Sequence, residues 1–236
     1  MAAELKATQP HVKVTLAHSR DKLLSAEPLP EAAKECAGDL VGETGVELLL
    51  NHRLKSSKLV RDEVTGRDVY EVEFENGHRM VAGQVIMAIS RSVPSTDFFP
   101  KAALSDEGLV NVRATMQLVP AEGVANPDSH FAVGDLINWS GIKRCGAAMH
   151  EGSYAALNIY QIMLRDLRGH EPVLNELREI PPMIGLAVGT TALSSGPEGI
   201  SHGPQVMKLF FEDDLGFRSK SPTLGSSHNA VSLLLI

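Results

Sequence analysis

The sequence predicts an α/β fold in which helices alternate with parallel strands, with an antiparallel meander and a smaller terminal α+β piece. Three observations carry this expectation. Val46 to Leu50 is a nearly continuous apolar run, the pattern of a strand buried on both faces of a parallel sheet. Leu29 to Val41 reads as a helix, with Pro28 and Pro30 near its start and Gly42 and Gly45 beyond its end. From Val69 to Glu75, Tyr70, Val72 and Phe74 alternate with Glu71, Glu73 and Glu75, the two-residue period of a half-buried strand.

The remaining elements follow in order. Met1 to Lys6 has helical character, and Thr8-Gln9-Pro10 interrupts it before the β-rich run Val12 to Leu16. Asn76-Gly77 supplies the residues of a two-residue type I′ turn, so His78 to Val81 is expected to return as the partner strand. Val85 to Ile89 is another apolar run, and Ser90 to Pro94 is a crossing that sets a boundary near residue 95. Gly108 to Val112 is expected as a strand, Val119 to Ser129 as a loop with Pro120, Gly123 and Pro127, and about Lys143 to Leu167 as a helix. Pro181-Pro182 precedes the apolar Met183 to Val188, and Val206 to Phe211 forms a last apolar run. Residues 218–236, rich in Ser with scattered Gly, are expected to be unstructured.

Composition narrows the function classes. A chain of 236 residues with 43% hydrophobic and 22% charged residues can bury a sizeable core. Its net charge of -7 argues against nucleic acid as a partner, because phosphate-backbone binding needs clustered Lys and Arg. The two cysteines, Cys36 and Cys145, form no Cys-x-x-Cys pair, which excludes a vicinal redox disulfide and suggests a reducing compartment. The nine histidines lack metal-ligand spacing, and no Gly-x-Ser-x-Gly is present, so metal and hydrolase chemistry have no foothold. No apolar run approaches the ~20 residues that span a bilayer, and the tail Val231 to Ile236 reads as a frayed terminus or a weak membrane contact.

Phe131-Ala132-Val133-Gly134-Asp135 is the most telling stretch for chemistry. A short apolar strand ending in Gly134-Asp135 is expected to bring a carboxylate to the carboxyl edge of a sheet, where open α/β sheets bind ligands. Gly134 would admit a ligand closely, and Asp135 can accept hydrogen bonds from ribityl or ribose hydroxyls. Gly146, Ala147, Ala148, Gly152, Ala155 and Ala156 then give the following helix a low-relief face. This region resembles the second flavin-binding segment of two-dinucleotide-domain flavoproteins. The likeness is to the apoptosis-inducing-factor-like and ferroptosis-suppressor-like NAD(P)H oxidoreductases, relatives of the type II NADH dehydrogenases. It rests on residues 131–135, on Lys143 before the helix, and on His150, Ala155, Asn158 and Ile159 within it, with flanking segments in matching order over roughly residues 1–217. Asp213 to Phe217 resembles the end of the fungal members.

The resemblance implies incomplete Rossmann-like, FAD/NAD(P)-binding three-layer domains within the pyridine nucleotide-disulfide oxidoreductase superfamily. Residues 1–95 would be a partial NAD(P)H-binding domain, 96–170 the second segment of the FAD-binding domain, 171–217 a C-terminal α+β segment and 218–236 a disordered tail. It implies FAD and NAD(P)H as cofactors and a quinone-like small-molecule acceptor, reached without a disulfide relay. It further implies a cytoplasmic setting, with peripheral association to membranes, lipid droplets or mitochondria as in some relatives. Under it, Gly134 and Asp135 hold the flavin, and Lys143 is the catalytic candidate that stabilises negative charge on the reduced ring.

Cofactor choice is read from His18-Ser19-Arg20-Asp21 at the end of the first strand, where NAD-binding units usually carry an acid. His18 and Arg20 there resemble the basic motif of NADPH-dependent thioredoxin reductases, and an arginine fork suits the extra phosphate. Arg20 as a solvated turn residue paired with Asp21 is the plain alternative. His150 is either a proton shuttle or a helix histidine satisfied by its neighbours, and Trp139 either shields the cofactor or anchors packing. Lys143, likewise, is otherwise an ordinary lysine at a helix start.

A complete member carries two Gly-x-Gly-x-x-Gly turns for the two pyrophosphates, and these 236 residues contain neither. Met1 to Leu5 resembles the interior of the helix that follows the second turn, so an N-terminally truncated member is expected. Its sheets would have exposed edges, and weak or absent FAD binding follows. The alternative is a non-catalytic remnant or incomplete gene product acting at most as an interaction module.

Overall fold

A parallel pair begins the architecture: β1 (Thr15–Ala17) lies beside β2 (Glu47–Leu49), with Leu16 opposite Leu48. The crossover between them is α2 (Glu31–Glu43), the helix its proline and glycine boundaries announced. Pro30 caps its start, and Gly45, at φ +81°, takes the left-handed turn that follows its end. Ala33, Ala37, Leu40 and Val41 recur at helical spacing and are buried. The computed structural model describes residues 1–64, 66–88 and 93–212. The expected Asp213–Phe217 likeness and the tail 218–236 lie outside them.

As far as the described residues go, the chain forms two units, one from Met1–Ile89 with Ile184–Ile236 and one from Ser90–Met183. The core of the first gathers Ala3 from α1 (Ala2–Thr8), Ala37, Leu40 and Val41 from α2, Val46, and Val188 and Leu193 from later strands. Each fully buried Leu or Val there contributes roughly 1.5–3 kcal/mol. Those later strands are β8 (Ile184–Val188), β9 (Thr191–Gly196) and β10 (Gly199–Gly203), an antiparallel sheet followed by α4 (Pro204–Phe210). A hydrogen bond fastens this sheet to α1: the Gly189 N–H donates to Glu4 Oε1 at 3.0 Å.

The meander is β3 (Leu54–Arg61), β4 (Asp68–Phe74) and β5 (Arg79–Ala82), in that order across the sheet. Its hairpin departs from the type I′ expectation. Asn76 keeps a negative φ and only Gly77, at +84°, is left-handed. Gly77 N–H reaches the Phe74 carbonyl at 3.0 Å, and Phe74 N–H reaches the His78 carbonyl at 2.9 Å. This is a type I turn closed by a glycine bulge, a three-residue loop. The Asn76 side chain favours it by accepting the His78 N–H at 3.0 Å. The apolar run at 85–89 forms no strand over its described residues, 85–88. It has no ladder partner there, and Ile86 and Met87 are 59% and 56% exposed.

In the second unit β6 (Val110–Asn111) pairs in parallel with β7 (Ile137–Asn138). Val110, Met116, Leu118 and Ile137 form its core. The expected strand at 131–135 is corrected. Phe131 makes one antiparallel bridge, to Gln117, after which Gly134–Leu136 winds into a 3-10 turn. Gly134-Asp135 therefore precedes the parallel strand β7 instead of ending one. Then comes α3 (Cys145–Arg168), ended by Gly169 at φ +66°. At about 1.5 Å per residue its 24 residues run some 36 Å, and it is the longest described element. Its inward face carries Glu151, Ala155 and Asn158, all buried.

Candidate functional site

Gly134, Asp135, Trp139, Lys143, Ala148 and Glu151 line one crevice between the 3-10 turn and the start of α3. Gly134 has φ +82°, a conformation that L side chains rarely adopt, so the backbone requires glycine here. Space is not the reason, since a Cβ on Gly134 would sit 3.6 Å from the Ala148 Cβ, an ordinary contact. The Gly134 N–H is committed to protein: it donates to Glu151 Oε2 at 2.6 Å. Lys143, half-buried, donates its Nζ to the Ile137 carbonyl. Asp135 is exposed, and its carboxylate accepts no hydrogen bond among the described residues. The Trp139 indole Nε1 is buried there and finds no acceptor.

The exposed carboxylate of Asp135 suits a hydroxyl-bearing chain, whose hydrogen bonds it can accept. The crevice is too narrow to admit a water molecule, so a ligand would meet Asp135 at its mouth. The face beyond is open: a Cβ added at Gly146 or Gly152 would meet nothing within 4 Å, and Ala156 is exposed. For the diphosphate of a dinucleotide these residues offer no glycine-rich cradle.

Glu151 was not singled out by sequence reasoning. A glutamate in a long helix reads as solvated, yet this one is 4% exposed. Burial pushes its carboxyl above the usual range, and the nearby Asp135 charge adds to the rise. The Gly134 N–H, Lys143 and His150 pull it back. The available signal was spacing: Glu151, Ala155 and Asn158 fall four and three residues apart, on one helical face. Asn158 is fully buried and satisfied. Its Nδ2 donates to the carbonyls of Thr115 at 2.9 Å and Asn175 at 2.8 Å, and its Oδ1 accepts the Asn175 N–H at 2.7 Å.

The other candidates lie elsewhere. His18 and Arg20 belong to the first unit, just past β1, and the backbone there pairs onward with Leu49, Asn51 and His52. The His18 ring sits 3.3 Å from Ser25 Oγ. Arg20 is exposed and makes no ion pair among the described residues, with Asp21 or any other acid. His150 is exposed and packs edge-on to Tyr154, ring centroids 5.2 Å apart. Among the described residues no His, Cys, Asp and Glu cluster could hold a metal, and no helix is long and apolar enough to cross a membrane.

Parallel strands, crossover helix and meander give this chain a Rossmann-like α/β fold. The FAD-dependent pyridine nucleotide-disulphide oxidoreductase from Desulfovibrio vulgaris superposes with a TM-score of 0.57 at 14% identity, over 82% of this chain and 44% of its own. The chain is homologous to oxidoreductase OXR1 of Ajellomyces capsulatus, 42% identical over 218 residues, which are 92% of this chain and 47% of the relative. Ferroptosis suppressor protein 1 of Mus musculus is 30% identical over 176 residues, 73% of this chain and 45% of the relative. The chain thus spans about half the length of the curated relatives it matches. No protein-family profile matches it.

The raised carboxyl of Glu151 sets a pH dependence. A carboxyl with a folded pKa above its unfolded value is held protonated longest in the folded state, so stability is greatest below the ordinary carboxylate range. It falls as pH rises through the unfolded and then the folded pKa. Glu151→Gln keeps an oxygen for the Gly134 N–H and removes the titration. Thermal midpoints measured from about pH 4 upward are expected to fall with pH more steeply in the natural chain than in E151Q. Parallel curves would contradict this.

Proposed function

We propose that the chain is part of an FAD-dependent NAD(P)H oxidoreductase that passes electrons to a quinone-like small-molecule acceptor. The observation that carries the reading is the convergence of Gly134, Asp135 and Lys143 on one crevice at the start of α3. The relatives support it: one is named an oxidoreductase, the other a ferroptosis suppressor. A bound flavin would supply hydride acceptance and onward electron transfer. Asp135 would accept the hydroxyls of its sugar-like chain, and Lys143 adds positive charge beside the site. The exposed guanidinium of Arg20 would select the extra phosphate of NADPH in the first unit. These 236 residues hold no Cys-x-x-Cys, so they supply no vicinal disulfide of their own to the electron path.

The narrow crevice and the lack of a Gly-x-Gly-x-x-Gly turn in these 236 residues favour a second reading, a non-catalytic interaction module. Flavin titration separates the two. Quenching of FAD fluorescence is expected to saturate, weakly, with the natural chain. Asp135→Ala is expected to lower the affinity roughly ten- to a hundredfold, the worth of a hydrogen bond to a charged group. Identical curves for both chains, or no binding at all, would favour the module.

Nucleotide choice gives a further test. Calorimetric titration of Arg20→Glu should show NADPH weakened by roughly tenfold or more, with NADH affected much less. Equal losses for both nucleotides would remove Arg20 from the selection.

A further inference from the structure

The 3-10 turn Gly134–Leu136 is held at both ends by side chains from the helical side of the crevice. At its start, the Gly134 N–H donates to Glu151 Oε2 at 2.6 Å, seventeen residues away in sequence. Just past its end, the Ile137 carbonyl accepts from Lys143 Nζ. Between these two grips stands Asp135, exposed and bonded to nothing among the described residues. The turn needs holding. Its first residue has φ +82°, and it stands between a single bridge at Phe131 and a two-residue strand, so regular ladder bonds do little to fix it. A carboxylate in a low-dielectric site that accepts one amide bond is a strong anchor, stronger than a neutral acceptor.

We propose that Glu151 and Lys143 are positioning residues, a two-point clamp on the Gly134–Leu136 turn that presents the Asp135 carboxylate to a hydroxyl-bearing ligand chain. The ligand half of this statement rests on the flavin reading above, whereas the clamp itself rests on the two bonds. Glu151 touches no ligand in this arrangement and acts through Gly134. Lys143 gives one of its three donors to the main chain, so its contribution to the site is geometric as well as electrostatic. Charge and reach both matter. Glu151→Asp keeps the charge but shortens the arm by one methylene, and Glu151→Gln keeps the arm and an acceptor oxygen but gives up the charge.

Amide hydrogen exchange at Gly134, read by NMR on the full chain labelled with 15N-glycine and 15N-leucine, tests the clamp alongside FAD titration. E151A and E151D are expected to speed Gly134 exchange at least tenfold and to weaken FAD binding by a similar factor. The Leu118 amide, bonded to the His130 carbonyl at 3.0 Å in the same unit, should keep its protection. E151Q, which keeps the arm and loses the charge, should fall between the natural chain and E151D in both properties, and Lys143→Met should weaken FAD binding. Unchanged Gly134 exchange in E151D overturns the clamp. Faster exchange with unchanged FAD affinity overturns its positioning role. Should E151A lose Leu118 protection, it has unfolded, and E151D and E151Q decide between them. If the natural chain binds no FAD, the function reading fails, and the exchange arm alone still decides whether the turn is clamped.

Discussion

Two buried polar side chains on one face of α3 organise the second unit. Glu151 and Asn158 lie seven residues apart, two helical turns, and each is removed from water. Burying such groups costs several kcal/mol unless they are hydrogen-bonded, so the loops that bond them are drawn to fixed places. Asn158 ties the chain at Thr115 to the chain at Asn175, and Glu151 ties the Gly134 turn to the helix. The unit's parallel pair has only two residues on each side, which is too little ladder to order these loops unaided. Side-chain bonds from one long helix replace what a broad sheet would otherwise supply. The site follows, because the turn carrying Asp135 is one of the loops so held.

Part of the architecture was legible. The alternation over Val69 to Glu75 and the framed helix before Val46 each carry a period that only one element satisfies. Strand β3 was not legible, for a physical reason. Leu54 to Arg61 has no sustained alternation, and a bulge between Leu54 and Ser56 shifts its faces partway along. Asn76-Gly77 misled because the pair is compatible with two hairpin geometries, and a side-chain acceptor at Asn76 selects the longer one. Residues 85–88 misled because hydrophobicity alone does not make a strand, which also needs a neighbour with free hydrogen-bonding groups.

The site was legible as a set of residues and not as a geometry. Gly134, Asp135 and Lys143 do share a crevice, but the strand expected to end at Asp135 is a bridge and a turn, and Gly134 serves backbone conformation instead of clearance. Glu151 stayed hidden because local sequence cannot distinguish a solvated helix carboxylate from one swung inward toward an amide seventeen residues earlier. The distinction needs the tertiary position of Gly134, which no periodicity encodes. Fold and sequence similarity place the chain beside its relatives, and the crevice at the start of α3 is where the proposed chemistry is assigned.

The single tryptophan offers the most direct measurement of that assignment. Its indole Nε1 is buried at the crevice with no acceptor among the described residues, and its N–H gives one resolved side-chain resonance in a 15N-labelled chain. On titration with FAD, the account predicts a saturable shift of the Trp139 indole resonance together with the Gly134 and Asp135 amides. FAD binding that saturates while all three resonances stay in place would contradict it, because the ligand would then occupy some other surface.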